Sequence, residues 1–177
     1  MDSFPDPVFA PEPGWTELPI PQSRGSGIRF VSGDASGTRL RVRYYHRAED
    51  SALVGRAWFG PDTEGPPGYA HGGSISALLD EAMGLCSWIA GHGVVAVRLT
   101  VNFRELLPLG TTATFEAWID NIDGRKVTGK GRIYGPDGTH YGDSEGLFIK
   151  LAPKHLERID TGQMTQRLNE ESDDAPA

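Results

Sequence analysis

One long apolar helix, followed by strands with two-residue alternation, most constrains what this chain can fold into. From Gly72 to about Ala90 the apolar residues recur at helical spacing, and glycines at positions 91 and 93 end the pattern. It is the only strong helix pattern in the 177 residues. Because such a helix must bury its apolar side, the rest of the chain has to supply a surface that covers it.

Strand patterns lie on both sides of this helix, two before it and four after it. The six runs are 39–46, 53–59, 95–103, 112–122, 127–133 and 140–151. In the third run, large apolar residues occupy every second position and are expected on one face: Val95, Val97, Leu99, Val101 and Phe103. Short turns join the last four runs and predict antiparallel neighbours. The predicted architecture is α+β, an antiparallel sheet of five to six strands curled around one long central helix, which resembles the hotdog fold.

Composition excludes several classes of function. The net charge of −7 offers no electrostatic case for binding nucleic acid. Cys86 is the only cysteine, so a disulfide framework or multi-cysteine zinc site is ruled out and a small buried hydrophobe is expected. No apolar run approaches the roughly 20 residues of a membrane span, and the N-terminus lacks a secretion or transit signature. We therefore expect a cytoplasmic protein with no membrane or nucleic-acid partner.

The chain divides into three predicted regions. Residues 1–25 hold six of the thirteen prolines and are expected to form an extended arm, packed on the body through Trp15, Leu18 and Ile20. Residues 26–152 form the folded domain. Residues 153–177 form a polar tail that ends in four acidic residues among the last eight, and this end is expected to be solvated and disordered.

The start of the helix carries the residues most suggestive of chemistry. His71, Gly72 and Gly73 precede an apolar helix that contains a carboxylate, Asp80. A helix N-terminus has unpaired backbone N–H groups and a positive dipole end, which can hold a developing oxyanion while a carboxylate activates water or attacks directly. In a purely structural alternative, the glycines form a loop, His71 bonds to the backbone, and Asp80 lies at a wet edge of the helix.

Four sequence segments together resemble a known family. They are Gly68-x-x-His71-Gly72-Gly73, Leu78-Leu79-Asp80-Glu81-Ala82, Leu99-x-Val101-Asn102-Phe103, and Gly110 before the next strand. Over about residues 53–151 the chain resembles the hotdog-fold acyl-CoA thioesterases of the phenylacetyl-CoA thioesterase and thioesterase-superfamily-member type. The resemblance implies hydrolysis of an acyl-CoA thioester to free acid and CoA, without a cofactor or metal.

The resemblance also implies roles for individual residues. Gly72 would donate its backbone N–H to the thioester oxygen, His71 and Gly73 would complete the catalytic turn, and Asp80 would act as general base or nucleophile. Its ordinary pKa of about 3.9 leaves an aspartate ionised at neutral pH without tuning. Many relatives carry a serine or threonine where this chain has Val95 and Ala96. That hydroxyl would be absent or supplied by another residue, the candidates being Ser76, Ser87 and Thr100.

Helix geometry independently predicts a site shared between two chains. Gly72 and Asp80 are eight residues apart, about 12 Å along one helix, too far for both to contact one carbonyl group. Two adjacent antiparallel helices related by a two-fold axis would bring Gly72 of one chain to Asp80 of the other. We therefore expect a homodimer or a dimer of dimers. Glu81 points about 100° away from Asp80 and, with Ser76, is expected to support the site from behind the reacting groups.

Coenzyme A carries phosphates, which need cations. Candidate CoA-binding residues lie on the outward-facing halves of the strands. They are Arg98, Asn102, Arg104, Lys126, Lys130 and Arg132. In the alternative interpretation, these residues form solvated strand faces that limit aggregation.

Two other functions remain open from the sequence. A hydroxyacyl thioester dehydratase or hydratase would use a histidine and a carboxylate, and would need His71 as a free base. A non-catalytic protein that binds acyl-CoA or another small ligand would keep the fold without turnover.

Overall fold

The structure, a computed structural model, describes residues 4, 6–19, 30–32 and 36–156. These residues form one seven-stranded antiparallel sheet in the order β1-β2-β3-β5-β6-β7-β4, with one long helix, α1. The strands are β1 (Trp15–Leu18), β2 (Leu40–Arg47), β3 (Ala52–Phe59), β4 (Val94–Phe103), β5 (Thr112–Asp123), β6 (Lys126–Tyr134) and β7 (His140–Lys150). Helix α1 spans Gly72–Ile89, a 3-10 turn spans Pro61–Thr63, and α2 spans Pro153–Leu156.

Helix α1 lies across the concave face of the sheet and supplies the centre of the core. Its buried side chains include Ile75, Leu78, Leu79, Ala82 and Met83, at the predicted helical spacing. Strand β6 meets this side of the helix with glycines, which leave room for a close approach. A Cβ at position 129 or 131 would come within 3.4 Å of the Met83 or Leu79 side chain.

The sheet has seven strands where five to six were predicted. The additional strand is β1, which lies in the proline-rich arm and pairs antiparallel with β2. Trp15 and Leu18 pack on the folded body as predicted: the Trp15 ring lies 5.5 Å from that of Tyr45, and Leu18 belongs to the main core. Ile20 and the acidic C-terminal end lie outside the described residues.

The predicted neighbours of β4 were wrong. Strand β4 does not pair with β5, which follows it in sequence, but with β7 at the edge of the sheet. The connection between β4 and β5 instead runs along the loop before α1, where Ala70 donates to Leu107 and Leu109 donates to Gly68. These two hydrogen bonds, 2.8 and 3.0 Å long, hold the connection where it crosses from β4 to β5.

The unbroken alternation predicted for β4 was also wrong. The register between β4 and β7 shifts between Ala96 and Arg98, which is a β-bulge at Val97. Directly paired residues share a face of the sheet, and Ala96 and Leu99 pair with Phe148 and Gly146 of β7. The apolar residues on the helix side after the bulge are therefore Leu99, Val101 and Phe103. Val95 lies on the opposite side, here called the outer face.

The only cysteine, Cys86, is buried, as expected for a small hydrophobe. Burial raises the pKa of its thiol. Among the described residues, no helix combines the length and apolar character needed to cross a membrane.

Candidate active site

The loop before α1 is held in one conformation by its own hydrogen bonds. Residues 66–69 form a tight turn in which Tyr69 donates to the Pro66 carbonyl, and Gly68 has φ +82°. A proline followed by a glycine with positive φ is the pattern of a type II turn. Glu64 closes the loop, because its carboxylate accepts the Gly68 N–H at 2.8 Å. The entry to the helix is therefore rigid before any ligand arrives.

His71 is the N-cap of α1. Its Nδ1 accepts the backbone N–H of Gly73 at 2.8 Å, and its own N–H donates to the Thr63 carbonyl at 2.7 Å. The Nδ1 lone pair is thus in use, and Nε2 carries the proton of the neutral ring. The same bond occupies the Gly73 N–H, so the two glycines of the turn differ in whether their N–H groups can bind a ligand.

The Gly72 N–H is the donor that this turn leaves open. It makes no hydrogen bond to another residue in the part of the chain that the structure describes. The Gly72 carbonyl accepts the hydroxyl of Ser76 at 2.9 Å, one turn further along the helix. The open N–H is thus a backbone donor at the positive end of the helix dipole, a suitable place for a developing oxyanion.

Asp80 is half-buried on the side of α1 that faces β7 and β4. One helical turn later, a Cβ at Gly84 would lie 3.7 Å from the Phe148 ring of β7. The Asp80 Oδ1 is shielded from solvent and accepts no hydrogen bond from any described residue. Burial, and secondarily the nearby Glu81 charge, raises the pKa of Asp80 above its ordinary value of 3.8. The structure therefore shows a desolvated carboxylate where the sequence predicted one ionised without tuning.

Glu81 lies around the helix from Asp80, on the side that faces Tyr44 of β2. Its carboxylate accepts a hydrogen bond from the Tyr44 hydroxyl of β2, a side chain with no exposed surface. Its direction matches the predicted turn of about 100°. Glu81 thus affects Asp80 through its negative charge, and the two carboxylates share no hydrogen-bond partner among the described residues.

The candidate residues on the strands lie apart from the helix start. Arg98, Asn102, Lys126, Lys130 and Arg132 are on the outer face, because each pairs with an outer-face residue of β7 or β5. Several of these groups are already engaged within the sheet. Arg104 and Asn102 both bind Asp143 at 2.8 Å, Lys130 binds Asp120 at 2.9 Å, and Arg132 binds the buried Glu116.

Arg98 and Lys126 differ from the other cations. Neither forms an ion pair with a residue in the described ranges. Within one chain, the structure brings His71, Gly72, Gly73 and Ser76 together but leaves Asp80 two turns away along the helix. The five strand residues lie on the outer face of the sheet, and Arg104, just after β4, binds Asp143 of that face.

The sequence analysis missed three contacts made by α1 and the loop before it. Phe103 packs its ring on Gly72, Tyr44 binds Glu81, and Glu64 holds the loop. The sequence showed Phe103 only as part of a motif and Tyr44 only as a strand residue. All three contacts join segments far apart in the chain or within an irregular loop, where periodicity carries no signal.

An antiparallel sheet wrapped around one central helix, with a glycine turn at the helix start, defines a hotdog domain. Residues 67–140 match the family model of the Thioesterase superfamily. The part of the chain that carries α1 and its glycine turn is therefore similar to the thioesterase superfamily.

Named relatives and solved structures agree with this assignment. Human acyl-coenzyme A thioesterase THEM5 is 33% identical, covering 78% of this chain and 64% of that protein. Xenopus laevis acyl-coenzyme A thioesterase THEM4 is 34% identical, covering 68% of this chain and 54% of that protein. The chain thus spans less than two thirds of either relative.

Two crystal structures illustrate the shared fold. A thioesterase superfamily protein is 30% identical with a TM-score of 0.58, covering 62% of this chain and 54% of that one. A Bacillus halodurans protein solved with CoA is 26% identical with a TM-score of 0.52, covering 55% of this chain and 66% of that one.

Proposed function

We propose that this chain hydrolyses an acyl-CoA thioester to the free acid and CoA, with Asp80 and the Gly72 N–H as its catalytic groups. The observation that carries the proposal is the desolvated Asp80 carboxylate, whose Oδ1 has no hydrogen-bond partner among the described residues. Leaving a carboxylate in this state costs stability and is typical of groups that act on a ligand. The names of the relatives and the CoA in the Bacillus halodurans structure support the substrate class.

The catalytic groups would meet across a homodimer formed through β4. This ten-residue strand lies at an edge of the sheet and exposes Val95, Val97, Leu99 and Phe103. A long apolar edge strand is a template for pairing with another chain. Two-fold pairing of two β4 edges would join the sheets and lay the two helices side by side and antiparallel. Asp80 faces this edge, so each site would take Gly72 from one chain and Asp80 from the other.

The chemistry needs one donor and one carboxylate. The Gly72 N–H binds the thioester oxygen and stabilises the negative charge that develops on it. Acting as a base, Asp80 removes a proton from water as its oxygen adds to the carbonyl, and the departing CoA thiolate then takes up that proton. Acting as a nucleophile, Asp80 displaces the thiolate and forms an anhydride, which water hydrolyses.

Labelled water distinguishes these two routes. In a single turnover in water enriched in the heavy oxygen isotope, the nucleophilic route places label in the Asp80 carboxylate when water attacks the aspartyl carbonyl of the anhydride. The general-base route places it only in the acid product.

The phosphates of CoA would bind to cations at the margin of the sheet. Arg98 and Lys126 are the best candidates because they have no ion-pair partner in the described part of the chain. Arg104, Lys130 and Arg132 would first have to release Asp143, Asp120 and Glu116. Asn102 is likewise held by Asp143 and would contribute only after rearrangement.

The geometry of His71 weighs against the hydratase alternative. A hydratase base needs a free ring nitrogen lone pair, whereas Nδ1 of His71 accepts the Gly73 N–H. His71 and Gly73 instead support the Gly72 donor by fixing the turn.

The test compares two neighbouring carboxylates in a thiol-release assay with a panel of acyl-CoAs. Removing a positioned base costs on the order of 100-fold, so we expect Asp80→Asn to lose at least about that much in kcat. Glu81→Gln is the matched control and should retain most of the activity, because Glu81 faces Tyr44. More than a tenth of the wild-type rate in folded Asp80→Asn would overturn the role of Asp80. Tight acyl-CoA binding with no thiol release by the wild type would instead identify a binding protein.

A further inference from the structure

Phe103 forms a wall directly beside the open Gly72 donor. A Cβ built on Gly72 would lie 3.0, 3.2 and 3.5 Å from three carbons of the Phe103 ring. The glycine has no positive φ, so the nearby ring, rather than the backbone conformation, disfavours a side chain there: the ring would have to shift by a few tenths of an ångström to admit a Cβ. The far edge of the ring is therefore packed against the first residue of α1.

This packing brings the ring within reach of any group held by the Gly72 N–H. A Cβ lies about 2.5 Å from its own backbone nitrogen, so the nearest ring carbon is no more than about 5.5 Å from the Gly72 nitrogen. A bound oxygen would lie about 2.9 Å from that nitrogen. The ring therefore borders the space in which the atoms attached to the carbonyl carbon would lie.

Phe103 is also a large apolar side chain that the single chain leaves uncovered. Its side chain is 54% exposed, although Val101, two residues earlier on the same face, packs against the core. It ends the edge strand β4, close to where the partner chain would pair. Its ring thus lines the space between the Gly72 donor and the proposed dimer interface.

We propose that Phe103 determines specificity by packing against the acyl carbon next to the thioester carbonyl, which selects acyl groups that are unbranched at that carbon. This inference rests on the proposed thioesterase function. The apolar acyl group fits the Phe103 ring better than the polar pantetheine arm does, so the acyl side of the thioester packs against this ring. A methyl branch at the first carbon would collide with a ring that Gly72 already holds at contact distance.

The experiment measures kcat/KM for the straight-chain acyl-CoA that the wild type hydrolyses fastest and for its 2-methyl analogue. The wild type should prefer the straight chain. In Phe103→Ala, the ratio of kcat/KM for the straight-chain substrate to kcat/KM for the 2-methyl substrate should fall at least about tenfold. A change of about this size is expected when one apolar contact in a pocket is reshaped. Phe103→Leu keeps an apolar side chain and should lower the ratio less. Leu106→Ala, which removes another exposed apolar side chain, is the matched control and should leave the ratio unchanged.

Each result bears on one proposal or both. An unchanged ratio in folded, active Phe103→Ala would overturn the specificity role and leave the thioesterase proposal standing. If Phe103→Ala does not fold, an unchanged ratio in Phe103→Leu is the contradicting result. Failure of the wild type to release thiol from any acyl-CoA would overturn the thioesterase proposal, and the role of Phe103 with it.

Discussion

At the scale of single residues, burial gives Asp80 properties that the sequence does not show. Spacing on the helix placed the carboxylate near an apolar surface, but its degree of desolvation depends on strands that fold over it. The position of Glu81 was predictable from helical geometry, whereas its bond to Tyr44 was not. Likewise, the motif pointed to Gly72, while the reason for a glycine there lies in Phe103, 31 positions later in the chain.

The raised pKa of Asp80 predicts a pH-dependent cost to stability. Below the unfolded pKa the carboxyl is protonated in both states and costs nothing. As pH rises from the unfolded pKa to the higher folded pKa, the carboxyl ionises in the unfolded state while the folded state resists ionisation. Asp80 therefore destabilises the fold at pH values above its unfolded pKa. Asp80→Asn should therefore unfold at higher denaturant concentration than the wild type at pH 7.5, and the difference should shrink toward pH 3.5 or so.

The measurement is chemical denaturation at a fixed protein concentration. Glu145→Gln, which changes an exposed carboxylate on β7, is the control and should not show this pattern. Equal stabilities of wild type and Asp80→Asn at both pH values would show that Asp80 is not desolvated.

At the scale of elements, periodicity predicted most of the fold. Helix α1 and the strands from β2 to β7 lie within a residue or two of their predicted positions. Periodicity could not reveal the bulge at Val97, because Val95, Ala96 and Val97 are three consecutive apolar residues that fit the sheet in either register. Strand β1 was hidden for a different reason: only four residues of the proline-rich arm pair with β2.

Because β4 is an exposed edge strand, we expect that a single charged residue introduced there will prevent the two subunits from pairing. Val97 is 57% exposed at the bulge of this edge strand, and a lysine there would block pairing between two sheets. Val97→Lys should shift the protein from dimer to monomer in sedimentation velocity and lower thiol release in parallel. Ile122→Lys is the matched control, since Ile122 is 43% exposed at the far end of β5. A dimer that persists in Val97→Lys would rule out this edge as the interface.

At the scale of the whole molecule, the strand order escaped the sequence because it depends on contacts between distant segments. Short turns correctly paired β5 with β6 and β6 with β7, but they said nothing of the partner of β4. Its pairing with β7 leaves a free apolar edge beside the side of α1 that carries Asp80. The same arrangement keeps Gly72 and Asp80 about 12 Å apart within a chain, so the proposed site is complete only in an assembly.

Mixed dimers test this composite site most directly. Asp80→Asn removes the carboxylate, and Gly72→Pro removes the N–H at a helix position where proline is tolerated by the backbone. Because any Cβ at this position approaches the Phe103 ring, Gly72→Ala is the matched control: it adds the same contact and keeps the donor.

Each of the two variants alone should be nearly inactive, and Gly72→Ala should retain clearly more activity than Gly72→Pro. When equal amounts of Asp80→Asn and Gly72→Pro are unfolded together and refolded, random pairing makes about half of the dimers mixed, each with one intact site. About a quarter of the wild-type activity should therefore return. No recovery, with mixed dimers confirmed by differently tagged chains and Gly72→Pro shown to be folded, would contradict a site shared between two chains.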